Sequence, residues 1–269
     1  MKTGKMKYLA LVALLAVGTG AATAAVVDLT TANSSGTING AVFQQIDPQS
    51  TGTGVIDSFA QIGAANQSEV QGYNTTTNNT FDNGAPDNFN HSITLGDIPV
   101  VELNGVFYRQ FLLDINENNN ASLDQYLSLD DVQIFVGGTA NSSVETLTGG
   151  VLDHDGTLVY HMDSGGDNWV ALNYALNTGS GSGDMFMYIP DSLFAAYQST
   201  DVITLYSHFG GAGDDPAGFN GNFANSDGFE EWAVLQGNQT IVPEPTTLSL
   251  MGLGLAGLFL RRATRSSKK

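Results

Sequence analysis

Residues 26–242 are predicted to fold as an all-β domain, a jelly-roll-like β-sandwich. Three observations carry this expectation. Runs rich in β-branched and aromatic residues alternate apolar with polar positions, while long stripes at the 3.6-residue spacing of helices are missing. Clusters of Gly, Asn, Asp and Ser separate these runs at short intervals, as turns require. Two Asn-Gly pairs lie inside alternating runs, and both positions of a type I′ hairpin turn need the positive φ that Asn and Gly tolerate.

In chain order, Thr37 to Phe43 reads as a first hairpin turning at Asn39-Gly40. Residues 64–92, with Asn66, Gln67 and the tract Asn74 to Thr80, have little apolar surface to bury and read as a long exposed loop within the sandwich. Val100 to Tyr108 is a second hairpin around Asn104-Gly105, its second arm running on from Gln110 to Asp114. Further strands are expected at Gln133–Val136, Thr157–Met162, Val170–Leu176, Met185–Ile189, Val202–Ser207 and Glu231–Leu235. Gly179 to Gly183 is a Gly-Ser hinge between strands, and Asp191 to Gln198 is the one short helix. No internal repeat at solenoid or propeller period is visible.

Both termini read as addresses. Lys2, Lys5 and Lys7, the apolar stretch Tyr8 to Val17 and the small-residue site Ala22-Thr23-Ala24 make residues 1–25 a secretory signal peptide. At the other end, Val242-Pro243-Glu244-Pro245 precedes an apolar run from Thr246 to Leu260, followed by Arg261-Arg262. As a helix that run covers about 22 Å, short of a hydrocarbon core of roughly 30 Å. Arg261, Arg262, Arg265, Lys268 and Lys269 hold its far end in the cytoplasm.

This order resembles the PEP-CTERM signal of Gram-negative bacteria that secrete exopolysaccharide. The resemblance makes residues 243–269 an apolar sorting helix, a transient inner-membrane anchor processed by an exosortase-type membrane protease. Pro243, Glu244 and Pro245 would form the sorting motif, with Arg261 and Arg262 as the stop. The alternative is an ordinary C-terminal anchor that is never cut. Some family schemes label this tail as the C-terminal region of ice-binding proteins, but the core has no regular Thr-x-Thr ladder. The segment from Phe111 to Leu235 is similar to one that recurs in other secreted PEP-CTERM proteins. Phe111 to Glu117, Ser128 to Ile134, Asp167 to Val170, Gly179 to Phe186 and Asp227 to Ala233 carry that likeness. It implies an exported envelope or matrix protein and brings no catalytic residues.

With the terminal segments set aside, residues 26–242 hold 26 acids against the single base Arg109, a formal charge of −25. Such a domain repels nucleic acid and anionic lipid, so nucleic acid is not a partner, and it repels itself when compact. Divalent cations would relieve that repulsion; solubility in an acidic or salty milieu explains the charge equally well. Cysteine is absent, which removes disulfides, thiol nucleophiles and thiolate metal sites.

Asp114-x-Asn116-x-Asn118 places oxygen ligands at alternate positions, as calcium loops do, with Asn120, Ser122 and Asp124 extending the set. Asn119 and Gln125 replace the glycine and glutamate of an EF-hand, and a polar turn after a strand suits the same residues. Calcium is the one cofactor raised, through Asp114, Asn116, Asn118, Asn120 and Asp124. Asp153 to Gly156 and Asp163 to Asn168 are oxygen-rich turns of the same composition. His91, His154, His161 and His208 have no zinc spacing, and nucleophile-elbow, P-loop and dinucleotide fingerprints are absent. Trp169, Trp232, Tyr73, Tyr174 and Phe219 are candidates for stacking on sugar rings.

The expected function is therefore non-enzymatic: a structural or adhesive protein of the cell surface or exopolysaccharide matrix. One alternative is a carbohydrate-binding module presenting Trp169 or Trp232, with calcium. A second is a secreted glycoside hydrolase using an acidic pair such as Asp214 with Glu230.

Overall fold

The computed structural model describes residues 24–50, 56–64, 66–77, 80–84, 89–119, 124–179, 182–213 and 216–236. The predicted signal peptide up to Thr23 and the whole sorting tail, Pro243, Glu244, Pro245, Arg261 and Arg262 included, lie outside these residues. Among the described residues no helix is long and apolar enough to cross a membrane.

The strands are, in order, β1 Val26–Asp28, β2 Ser35–Ile38, β3 Ala41–Ser50, β4 Ile56–Ile62, β5 Val70–Tyr73, β6 Ile93–Thr94, β7 Val100–Leu103 and β8 Val106–Asp114. They continue as β9 Tyr126–Val136, β10 Leu147–Thr148, β11 Val151–Leu152, β12 Thr157–His161, β13 Trp169–Asn173, β14 Ser182–Pro190, β15 Val202–Phe209 and β16 Glu230–Leu235. One open sheet runs β1-β13-β9-β15-β5, with β12 also on β9 and β6 on β15; a second runs β2-β3-β14-β8-β16-β4, with β7 on β8; β10 and β11 form a separate two-stranded sheet. All pairs are antiparallel except β1 with β13. From β13 onward each successive strand changes sheet.

The two sheets share one core. Phe43, Phe111, Leu113, Met185 and Trp232 from the second sheet pack with Leu129, Ile134, Val170 and Leu205 from the first. Fully burying such side chains stabilises by about 1.5–3 kcal/mol apiece. A buried hydrogen bond from Trp232 Nε1 to Ser207 Oγ, 3.0 Å long, stitches β16 to β15 across the interface.

Both hairpins turn as expected, with Asn39 at φ 49° and Gly40 at 87°, Asn104 at 52° and Gly105 at 83°. Three expectations need correction. The described residues within 64–92 are not simply an exposed loop: they contain β5, and Asn74, Thr75, Thr80 and Asn90 are buried. Asn74 makes this possible because its side chain acts as a strand partner, accepting from Leu205 N–H at 2.7 Å and donating to the Ile203 carbonyl at 2.9 Å. Val170–Leu176 is strand only to Asn173, whose side chain accepts from Ala175 N–H and starts a 3-10 turn. Asp191–Gln198 forms only the single 3-10 turn Asp191–Phe194, since so short a segment cannot propagate a helix and is pinned by buried Phe194.

Candidate functional site

The described pocket with the most chemistry lies on the outer face of the first sheet, a cavity of about 570 Å³ lined by Glu69, Asp130, Asp131, Asp163, Asp167, Trp169, Tyr206 and His208. Strand alternation would send neighbouring residues to opposite faces. On β9, however, Asp131 pairs with His208 and Leu129 with Phe209, so Asp130 is an inserted residue. This β-bulge lets two consecutive acids reach the same cavity. A second irregularity on β12, between Leu158 and Tyr160, keeps Tyr160 in the core and sets His161 opposite Gln133 on the pocket face.

Asp131 is 7 % exposed. One carboxylate oxygen accepts from Gln133 Nε2 at 2.6 Å, and Gln133 in turn ties β9 to Gly150 and Leu152. The other oxygen faces His161 Nε2 at 3.5 Å, an ion-pair contact too long for a strong hydrogen bond, and neither atom has another partner. Asp163, in the turn after β12, completes a triad with Asp131 and His161 whose ligand atoms fall within 4.8 Å of one another. One imidazole and two carboxylates in that arrangement suit a divalent metal ion, or a set of hydrogen-bonding partners for hydroxyl groups.

Electrostatics follow from crowding. Burial pushes Asp130 up to about 6, despite hydrogen bonds from Gly211 and Ser128. Burial, with repulsion from Asp131 and Asp167, raises Asp163 to about 6. Asp131 holds the His161 imidazolium above its ordinary range. Trp169 stands half-buried at the pocket wall, braced by Phe219 and Phe223 at ring separations of 5.0 and 5.5 Å.

Of the other aromatic candidates, Trp232 and Tyr73 are fully buried and Tyr174 nearly so. His154 is buried too, accepting from Gly156 N–H within its own turn and contacting Thr204.

The calcium-loop candidates meet different neighbours. Asp114 ends β8 in a buried position. Asn116 gives its backbone N–H to Glu230 Oε2 at 3.0 Å. Asn118 uses its backbone and side-chain nitrogens on Ser226, each at 3.1 Å. Asp124 offers its backbone carbonyl to the Ser226 hydroxyl, and Asn120 lies outside the described residues. Around Asp114 the fold instead gathers Glu117 of the same loop with two acids from distant strands, Asp184 on β14 and Glu230 on β16. Burial pushes Glu117 up to about 8 and lifts Asp184 and Glu230 well above the carboxylate range, with mutual repulsion adding to it. Sequence spacing could not find this grouping. The available signal was an acid at a position where the strand pattern calls for an inward side chain, as at Glu230 beside Trp232.

Residues 242–263 match the family model of the PEP-CTERM protein-sorting motif. No curated protein and no solved structure matches the chain. The motif implies an exported protein with a transient membrane anchor, processed by exosortase, a membrane protease.

Proposed function

We propose that this exported chain is an adhesive protein of the cell surface or exopolysaccharide matrix, and that its acid-lined pocket binds a neutral polysaccharide. Delivery would begin with the signal peptide of residues 1–25 and end with release of a jelly-roll-like domain from its sorting tail. The observation that carries the binding reading is the pairing of half-buried Trp169 with Asp130, Asp131 and Asp163 in one cavity. An aromatic face stacks on the apolar face of a sugar, while carboxylates accept hydrogen bonds from its hydroxyls. The −25 charge of residues 26–242 disfavours acidic polymers, so the ligand is neutral.

The protein binds rather than hydrolyses in this reading. Glu230, one member of the acidic pair considered for hydrolysis, has 0 % exposure and cannot meet a polymer; Asp214 lies outside the described residues. A glycan array with the purified protein tests the proposal. Selective retention of neutral glycans is expected, lost in Trp169→Ala and weakened in Asp163→Asn. Absence of selective binding, or release of reducing ends from a bound glycan, would overturn it.

A further inference from the structure

The strongest demand for a ligand elsewhere in the molecule comes from the end of the second sheet, where β8 stops and β14 and β16 start. Asp184 follows one step beyond the Met185–Leu113 pair and so stands beside Asp114; Glu231 pairs with Asp114, placing Glu230 alongside. Exposure is 7 % for Asp114, 4 % for Glu117, 5 % for Asp184 and 0 % for Glu230. Backbone amides fix three of these carboxylates. Ile115 N–H donates to Asp184 Oδ2 at 2.8 Å, Asn116 N–H to Glu230 Oε2 at 3.0 Å, and Ser226 N–H to Glu117 Oε2 at 2.8 Å. Their remaining oxygens, Asp184 Oδ1, Glu230 Oε1 and Glu117 Oε1, are buried with no hydrogen-bond partner.

Buried carboxylates require a counter-charge, and leaving one uncompensated is strongly destabilising. No side chain supplies it here: Arg109 is the only Lys or Arg among the described residues, and it is bound to Asp191. We propose that Asp114, Glu117, Asp184 and Glu230 hold a calcium ion that ties the ends of β8, β14 and β16 together. The donor set is all carboxylate oxygen, which selects a hard cation. Magnesium keeps several waters and near-ideal octahedral geometry, whereas calcium accepts several carboxylates at flexible angles in an enclosed site. Among the described residues only Asp131, His161 and Asp163 already bring their ligand atoms within 4.8 Å of one another, so binding an ion here would draw the four acids together.

The surrounding chain is built to enclose them. Segments 116–118 and 226–228 are zipped by the Ser226 contacts to Glu117 and Asn118. Gly228, at φ +69°, comes so close to Asn116 that a Cβ there would lie 2.2 Å from its side-chain nitrogen. The inference does not depend on what the outer pocket binds.

The test is thermal melting of the metal-stripped purified protein with EDTA, calcium or magnesium. At a hundredfold excess over Kd, calcium should raise the melting temperature by about 5 °C or more, and magnesium by clearly less. Glu230→Gln and Glu117→Gln should abolish the response, while Asp163→Asn in the outer pocket should keep it. Glu230→Gln should also melt at or above the wild type in EDTA, because a buried amide needs no proton to stay neutral; a purely structural hydrogen-bonding role would give the opposite sign. Should Glu230→Gln fail to fold, Asp184→Asn and equilibrium dialysis of calcium against the wild type decide instead. No calcium response in the wild type, equal stabilisation by magnesium, or a response lost in Asp163→Asn but kept in Glu230→Gln would each overturn the assignment.

Discussion

Truncating the lone base of the domain, Arg109→Ala, should cost far more than losing its ion pair. Arg109 Nε reaches Asp191 Oδ1 at 2.6 Å, but Nη1 donates to two backbone carbonyls, Leu95 at 2.8 Å and Ile98 at 3.1 Å. Those carbonyls belong to the chain between β6 on the first sheet and β7 on the second, so the guanidinium clamps a crossing between sheets. With side-chain exposures of 17 % and 35 %, the Arg109–Asp191 pair is partly wet and contributes about 1 kcal/mol or less. Bonds from a charged donor contribute roughly 1.5–3 kcal/mol each, and water recovers part of this after truncation. A net loss of about 3 kcal/mol is therefore expected, or roughly 6–12 °C in melting temperature for a domain of this size. Urea titration followed by tryptophan fluorescence measures it, with Arg109→Lys and Asp191→Asn as companions. Lys should restore the charge but recover only part of the loss, because an ammonium cannot reproduce the guanidinium fork. Asp191→Asn should cost at most about 1 kcal/mol. If Asp191→Asn costs as much as Arg109→Ala, the ion pair and not the carbonyl clamp carries the stability, and the reasoning fails.

In EDTA the protein should be most stable in mild acid and lose stability as pH rises. Glu117, at about 8 instead of 4.5, and Asp130 and Asp163, at about 6 instead of 3.8, bind protons more tightly when folded. Their stabilisation is complete below the ordinary carboxylate range and disappears as pH passes about 6 and then about 8; raised His161 acts with the same sign. Melting temperatures that stay flat or climb between pH 5 and pH 8 would contradict this. Separately, Ser207→Ala should cost about 1–3 kcal/mol by leaving the buried Trp232 indole N–H without a partner. An unchanged urea midpoint would mean that this bond contributes nothing across the sheets.

Local chemistry made the hairpins legible, since Asn39-Gly40 and Asn104-Gly105 announce their turns within a few residues. The start of β9 was not legible, because Asp130-Asp131 breaks the alternation that marks a strand; the bulge that accommodates them is a property of the pairing with β15. Likewise β5 hides in a polar tract, since the Asn74 side chain earns its buried place from Ile203 and Leu205, about 130 residues away. The candidate sites depend still more on distant partners. Asp114 was singled out for its own loop, yet Asp184 and Glu230 come from strands far along the chain. His161 meets Asp131 only because β12 pairs with β9.

The parallel pairing of β1 with β13 has a consequence for delivery. Val26 sits opposite Trp169, across a separation of 143 residues. A chain exported N-terminus first would present β1 early, with no strand to join until β13 has followed. Pairing at such sequence distance is slow to form, because loop closure must precede any gain. The sandwich thus could not complete its first sheet until most of the chain had crossed.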